Sequence, residues 1–265
     1  MRGGIRSAVA GVVLSLLAGA AVRADTLDDV KARGALRVGV TETSPPFSFR
    51  DGARGIVGYD VDLAAAVAAK LGVRLGKVAI LNKERLPALK SDTVDLVATG
   101  MTRSAGRAKE IGFSLAYFNS PHKVLVRKDR GLARITDLAG STLALVASAS
   151  VDADLKRAVP TLQIVLFDHY QAAFDALAEA RVASFLADEL LLLSFAQRSG
   201  KSDDFTLLAG YELPRTAGFG IKKDEPRFTA FVDATLLELE ASGRAAEIFA
   251  TWFAPLPRPF TLKAD

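Results

Sequence analysis

From residue 36 onward, short apolar runs alternate with longer amphipathic stretches. LRVGV (36–40) has the length and branching of a strand. VDLAAAVAAKLG (61–72) places Leu63, Val67 and Leu71 on one helical face and ends on Gly72, a helix stop. RLPALK (85–90), with Pro87 in its first turn, predicts a short helix, and VDLVAT (94–99) the next strand. After KVLVRK (123–128) the pattern restarts: TLALV (142–146) as strand, VDADLKRA (151–158) as helix and LQIVLF (162–167) as strand. AAFDALAEA (172–180) is another helix and VASFLA (182–187) another strand. PRFTAFVDATLLELEASG (226–243) reads as a long helix opened by Pro226 and closed by Gly243, with Phe228, Phe231, Val232, Leu236 and Leu239 in one stripe.

Strands alternating with helices predict an α/β class, here as two units joined in the middle near Tyr117–Lys123. No Gly/Ser-rich or Pro-rich linker separates them. Two close-packed lobes joined by ordered strands are therefore expected.

The first 24 residues stand outside this pattern. Arg2 and Arg6 precede the apolar run AVAGVVLSLLAGAAV (8–22), and VRA (22–24) suits cleavage before Asp25. That is a signal-peptide pattern, short and Ala/Gly-rich for a membrane span. Removing Arg2, Arg6 and Arg23, which no acid in 1–24 balances, takes the formal charge from +4 to +1. No Lys/Arg stripe remains, so nucleic acid is not an expected partner. The chain has no cysteine, which excludes disulfides, thiol catalysis and a lipid-anchored cysteine after the leader. A freely diffusing, monomeric periplasmic protein is expected. GVTETSPPF (39–47) lacks the glycines of a phosphate cradle, and His122 and His169 are too few for a metal site. No cofactor is expected.

In open α/β sheets ligands bind beyond the carboxyl ends of the strands. Those ends lead here into TETSPPF (41–47), GMTRSAGR (100–107), ASAS (147–150) and DEL (188–190). A cleft between the lobes would gather an arginine, several hydroxyls and a carboxylate. Arg107 could hold a carboxylate bidentately and Asp188 an ammonium group, with Thr102, Ser148 and Ser150 completing the hydrogen bonds. The residues alone also allow a second reading. In that one Arg107 is a surface charge and Asp188 caps the helix ELLLLSFAQ (189–197). Asp60 and Asp62 fit a helix start, where the dipole favours negative charge. Trp252 is read as packing and Arg103 as a solvated or interlobe charge.

Over residues 26–260 the chain resembles the polar-amino-acid solute-binding proteins of ABC importers, extracellular solute-binding family 3. The resemblance rests on GALRVGVTETSPPFSF (34–49), GYDVDLAAAVAAKLG (58–72), RLPALKSDTVDLVATGMTRSAGRAKEIGFS (85–114), DLAGSTLALVASASVDADL (137–155), ARVASFLADE (180–189), GFGIKKDEPRF (218–228) and TWF (251–253). Within the family the glutamate/aspartate binders look closest, partly through RLPAL and WFAPLPRPF (252–260). The resemblance implies a two-lobed periplasmic-binding-protein fold, with two α/β sheets joined by two hinge strands and the ligand cleft between. Lobe 1 would hold 25–118 and 214–265, and lobe 2 119–213. It implies Arg107 and Thr102 on the ligand α-carboxylate, Gly100 and Asp188 on its α-amino group, and Ser148 and Ser150 in the second lobe's carboxylate loop. The implied partners are a free amino acid and an inner-membrane ABC permease.

Specificity positions are mixed. Arg85 aligns with an arginine that meets the side-chain carboxylate in acidic binders. Thr41 stands where those relatives carry a second arginine, and Tyr170 where they carry a histidine. Ser44 replaces the aromatic lid of cationic binders, and Phe47 is a candidate stacking residue or a core plug. A few relatives of the fold are dehydratases of cyclohexadienyl amino acids, for which Glu42 or Glu189 would be the general acid. Keeping both Arg107 and Asp188 favours simple capture over turnover.

Overall fold

The computed structural model describes residues 25–147 and 152–263. The leader (1–24), Ser148, Ser150 and Val151 lie outside the described residues.

The chain builds two five-stranded sheets of the same design. In the first, Ala35–Val40 lies between Arg74–Ala79 and Leu96–Val97, both parallel to it. In the second, Thr142–Val146 lies between Gln163–Phe167 and Ser184–Asp188, again parallel. Each sheet then takes one antiparallel strand from across the molecule. Gly220–Ile221, from the C-terminal part, joins Leu96–Val97, while His122–Arg127 joins Ser184–Asp188. The chain therefore crosses between lobes twice, and the crossings pair with each other. Phe118–Asn119 and Thr216–Ala217 form a two-stranded antiparallel ladder.

The helices follow from the patterns that predicted them. Tyr59–Leu71 buries Leu63, Val67 and Leu71 and stops at Gly72 in the left-handed conformation. Pro226–Ala241 buries Phe228, Val232 and Leu236. Beyond Gly243 the chain makes a further helix, Arg244–Phe253, and a helix Thr26–Arg33 opens the described chain. Neither is among the elements that the pattern predicts. The strand expected over 94–99 has only Leu96–Val97 in its ladder, although the Asp95 and Ala98 N–H groups still donate to the Arg37 and Gly39 carbonyls at 2.8 Å.

An aromatic cluster ties the C-terminal helix to the first lobe. Phe47 meets Phe118 at 4.8 Å and Phe253 at 5.6 Å between ring centroids, and Tyr59 packs on Phe249 and Phe253. Edge-to-face rings in this distance range add to the burial of apolar area. Trp252 seats edge-on against Phe49 and donates its indole N–H to Asp62 at 2.7 Å. Trp252→Phe keeps the ring contact and loses that bond to a carboxylate. Because the site is half-exposed, the expected cost is about 1 kcal/mol, a fall in Tm of about 2–4 °C by calorimetry.

Candidate functional site

The loop after the strand Leu96–Val97 is held from behind. Gly100 has φ 56°, and a Cβ there would meet the Phe47 ring at 3.4 Å. Its N–H donates to the carboxylate of Asp60, which is fully buried in the first turn of Tyr59–Leu71. Burial pushes Asp60 up to about 7, with the Gly100 N–H opposing it. Asp60 and Asp62 thus do more than answer a helix dipole: each fastens a distant segment, Gly100 and Trp252. Ser104 then accepts from the Arg107 N–H at 3.4 Å and starts the helical turn Ala105–Ala108. That cap turns Arg107 back over its own loop, where Nη1 donates to the Thr102 carbonyl at 3.0 Å.

Arg107 and Arg85 face a cavity where the two lobes meet. The first lobe contributes Asn82, Arg85, Thr102 and Arg107, and the second Val146, Ala147, Tyr170, Leu186 and Ala187, with His122 and Arg215 beside the crossing strands. Three arginines and no acidic side chain line it among the described residues. With the lobes in this arrangement about 20 Å³ is open, room for about one water. Asn82 also donates to the Asp168 carbonyl of the second lobe at 3.3 Å.

Arg85 is 5% exposed. Its Nη2 donates to the Thr99 carbonyl at 3.2 Å and to the Asn82 side chain, while its Nε has no hydrogen-bond partner. Burial pushes its pKa down to about 10, which leaves it charged at neutral pH. Burial also lowers Arg107, against the opposing influence of Tyr170. Tyr170 begins the helix Tyr170–Ala178, whose N-cap is His169; its Nδ1 accepts from the Ala172 N–H at 3.2 Å.

Asp188 ends the strand Ser184–Asp188 and occupies the N-cap position of Glu189–Arg198, as the second sequence reading had it. Its side chain makes no capping bond. It is buried and receives Nη1 of Arg215 instead. Burial pushes Asp188 up to about 6, and Arg215 opposes that rise. His122 Nε2 lies 3.6 Å from the same carboxylate, and burial, then Arg215 and Arg107, push His122 down to about 3. His122 is therefore neutral at physiological pH.

Arg215 is the residue that sequence reasoning missed. It is 5% exposed, and besides Asp188 it donates Nε to Thr102 Oγ1 at 2.8 Å and Nη2 to the Gly100 carbonyl. The available signal was its place in LPRTAGFG (213–220): an arginine between a proline and the strand that re-enters the first lobe. A crossing strand passes the cleft by topology, so a charged residue at its mouth is a candidate.

Other candidates lie elsewhere. Phe47 is 2% exposed inside the aromatic cluster and does not reach the cavity, the core plug of the sequence reading. Thr41 is buried with Oγ1 2.7 Å from Ser48 Oγ, and it lines a separate interlobe cavity of about 190 Å³. Ser44 is buried away from the cavity wall. Glu42 pairs with Arg50, and neither it nor Glu189 lines the cavity. Arg103 stands outside the wall, its stem running close to Gly218 beside the crossing strand.

The model of the bacterial extracellular solute-binding proteins, family 3, matches residues 36–255. The glutamate/aspartate import solute-binding protein of Escherichia coli (strain K12) is 25% identical over 271 residues, covering 95% of this chain and 90% of that protein. The crystal structure of the P235GK mutant of ArgBP from T. maritima superposes with TM-score 0.79 at 30% identity, covering 86% of this chain and 99% of that one. The ancestral amino acid-binding protein AncCDT-1, a precursor of cyclohexadienyl dehydratase, gives TM-score 0.78 at 28% identity over 86% of this chain and 99% of that one. Matched over most of its length, and sharing the two-lobed architecture, the chain belongs to the bacterial extracellular solute-binding proteins of family 3.

Proposed function

We propose that the chain captures a small carboxylate solute between its lobes and delivers it to an inner-membrane ABC permease. The observation that carries this reading is the convergence of Arg85, Arg107 and Arg215 on an interlobe cavity that no acidic side chain lines among the described residues. Buried cations need anions, and a guanidinium fork suits a carboxylate. Arg107 clamps one carboxylate, and Arg85, with its unpartnered Nε, receives a second acidic group. That is the basis for an acidic, glutamate/aspartate-like ligand, in line with the acidic binder of E. coli among the relatives.

The closing units are 25–118 with 214–265, and 119–213, rotating about the paired crossing strands. A solute that touches both lobes favours the closed form by its differential affinity. Export to the periplasm through residues 1–24 places the receptor where such solutes arrive. The dehydratase alternative lacks a carboxyl group at the cavity wall to act as general acid, among the described residues.

A thermal-shift panel of amino acids and simple carboxylates tests the reading. A ligand at 100 times its Kd stabilises by about 2.7 kcal/mol, which corresponds to a rise in Tm of about 5–10 °C. No shift with any carboxylate at millimolar concentration would overturn it.

A further inference from the structure

We propose that Asp60 is a positioning residue for solute capture, and that an anionic solute binds together with a proton taken up at its carboxyl. The inference rests on the carboxylate reading above and adds the group that tunes it.

The connection is a single peptide unit. The Thr99 carbonyl accepts from Arg85 Nη2 at 3.2 Å, and the Gly100 N–H of the same peptide donates to Asp60 Oδ2. Arg85 on the cavity wall and Asp60 in the core are therefore joined by one oriented dipole, its carbonyl toward the cation and its N–H toward the carboxylate. The next carbonyl, that of Gly100, receives Arg215 Nη2. Asp60 thus fixes the turn on which both guanidinium groups rest, although it stands in the core and not on the cavity wall.

The charged and titratable groups that face Asp60 come from four places. Arg85 belongs to the helix Arg85–Lys90, Tyr117 precedes the first crossing strand, Arg215 precedes the second, and Tyr59 is its neighbour in its own helix. Burial favours the neutral acid, while the Gly100 N–H, Tyr117 and the two arginines favour the carboxylate, and the balance leaves Asp60 at about 7. Oδ2 keeps the Gly100 N–H, which leaves Oδ1 as the oxygen to protonate.

A solute carboxylate that reaches Arg85 brings negative charge to the far end of that dipole. It draws on a guanidinium that stabilises ionised Asp60, and it repels the Asp60 carboxylate directly. Both effects raise the proton affinity of Asp60 in the complex above that in the empty protein. By linkage the solute then binds more tightly where Asp60 carries its proton, and affinity falls as pH rises through about 7. A shift of about one unit, at the low end of what a nearby charge produces, changes affinity by about three- to tenfold between pH 6 and pH 8.5.

Isothermal titration of the mature wild-type protein with L-glutamate and with L-aspartate tests this. Titrations at pH 6 and pH 8.5 give the affinity ratio. Titrations at pH 7.5 in phosphate and in Tris, whose ionisation heats differ, give the protons exchanged. The expected result is binding about three- to tenfold tighter at pH 6, with uptake of about half a proton per solute at pH 7.5. Asp60→Asn retains an oxygen for the Gly100 N–H but does not titrate, so its affinity should be the same at both pH values and its proton uptake nil. That variant also separates Asp60 from Asp188, the other buried carboxyl that burial pushes up, to about 6. Asp60→Ala releases the Thr99–Gly100 peptide and should bind about tenfold more weakly at both pH values. Affinity regained in Asp60→Asn distinguishes positioning from general damage to the fold. Wild-type affinity that does not vary with pH, or a pH dependence unchanged in Asp60→Asn, overturns the inference and leaves the carboxylate reading in place. If neither amino acid binds at 10 mM, the acidic-ligand reading fails and the inference falls with it. The wild type and Asp60→Asn decide the matter even where Asp60→Ala does not fold.

Discussion

Replacing Arg107 by alanine is expected to weaken capture of a carboxylate solute by roughly 30- to 5,000-fold while the fold stays intact. Truncating one partner of a desolvated charge pair costs about 2–5 kcal/mol, and about 1.4 kcal/mol is a factor of ten in Kd. The loss is concentrated in binding because of how Arg107 is mounted. It is half-buried, rises from a helical turn capped by Ser104, and rests on the Thr102 carbonyl through Nη1. Losing that bond costs about 1 kcal/mol of stability. Arg107→Lys keeps the charge but not the planar fork, so its affinity should fall between wild type and Arg107→Ala. Titration with the tightest carboxylate of the panel, alongside urea unfolding of each variant, separates the two effects. Wild-type affinity in a folded Arg107→Ala protein would remove Arg107 from the site.

The fold was legible in the sequence because its signals are local. LRVGV, TLALV and VASFLA are largely apolar runs bounded by breaks, and the stripe from Phe228 to Leu239 gives its helix one face to lay on a core. Part of the cavity was legible for the same reason: Arg107 and Thr102 follow a strand end, where the topology collects loops, and Asp188, which holds Arg215, ends another. The rest depends on contacts between residues far apart in sequence. Arg215 lies 113 positions from Thr102 and 27 from Asp188, and no periodicity relates them. Phe47 sits in the right loop but turns inward onto the Phe118 and Phe253 rings, and Thr41 pairs with the Ser48 hydroxyl at a different interlobe cavity. Apolar area and a short buried hydroxyl pair are satisfied in the core. The arginines stay at the cavity because a guanidinium needs polar partners: carbonyls for Arg85 and Arg107, and the Asp188 carboxylate for Arg215.

The second large effect concerns Arg215 itself, and it depends on pH. Arg215→Met keeps much of the apolar stem and removes the guanidinium, leaving Asp188 buried beside neutral His122. Breaking a buried ion pair on one side costs about 3–5 kcal/mol, since the remaining charge has neither water nor partner. In the wild type, burial already pushes Asp188 up to about 6, against the pull of Arg215. Without Arg215 that opposition is gone and the folded-state pKa rises further. The folded variant then binds a proton that the unfolded chain has released over a wider range of pH, and in that range stability falls as pH rises. Wild-type stability stops responding to Asp188 above about pH 6, whereas the variant keeps losing about 1.4 kcal/mol per unit of added shift. The penalty of Arg215→Met should therefore be larger at pH 8 than at pH 5. Chemical denaturation of both proteins at the two pH values measures it. A penalty equal at pH 5 and pH 8 would show that Asp188 is not the group Arg215 compensates, and Arg215→Met/Asp188→Asn should restore part of the loss at pH 8 by removing the stranded charge.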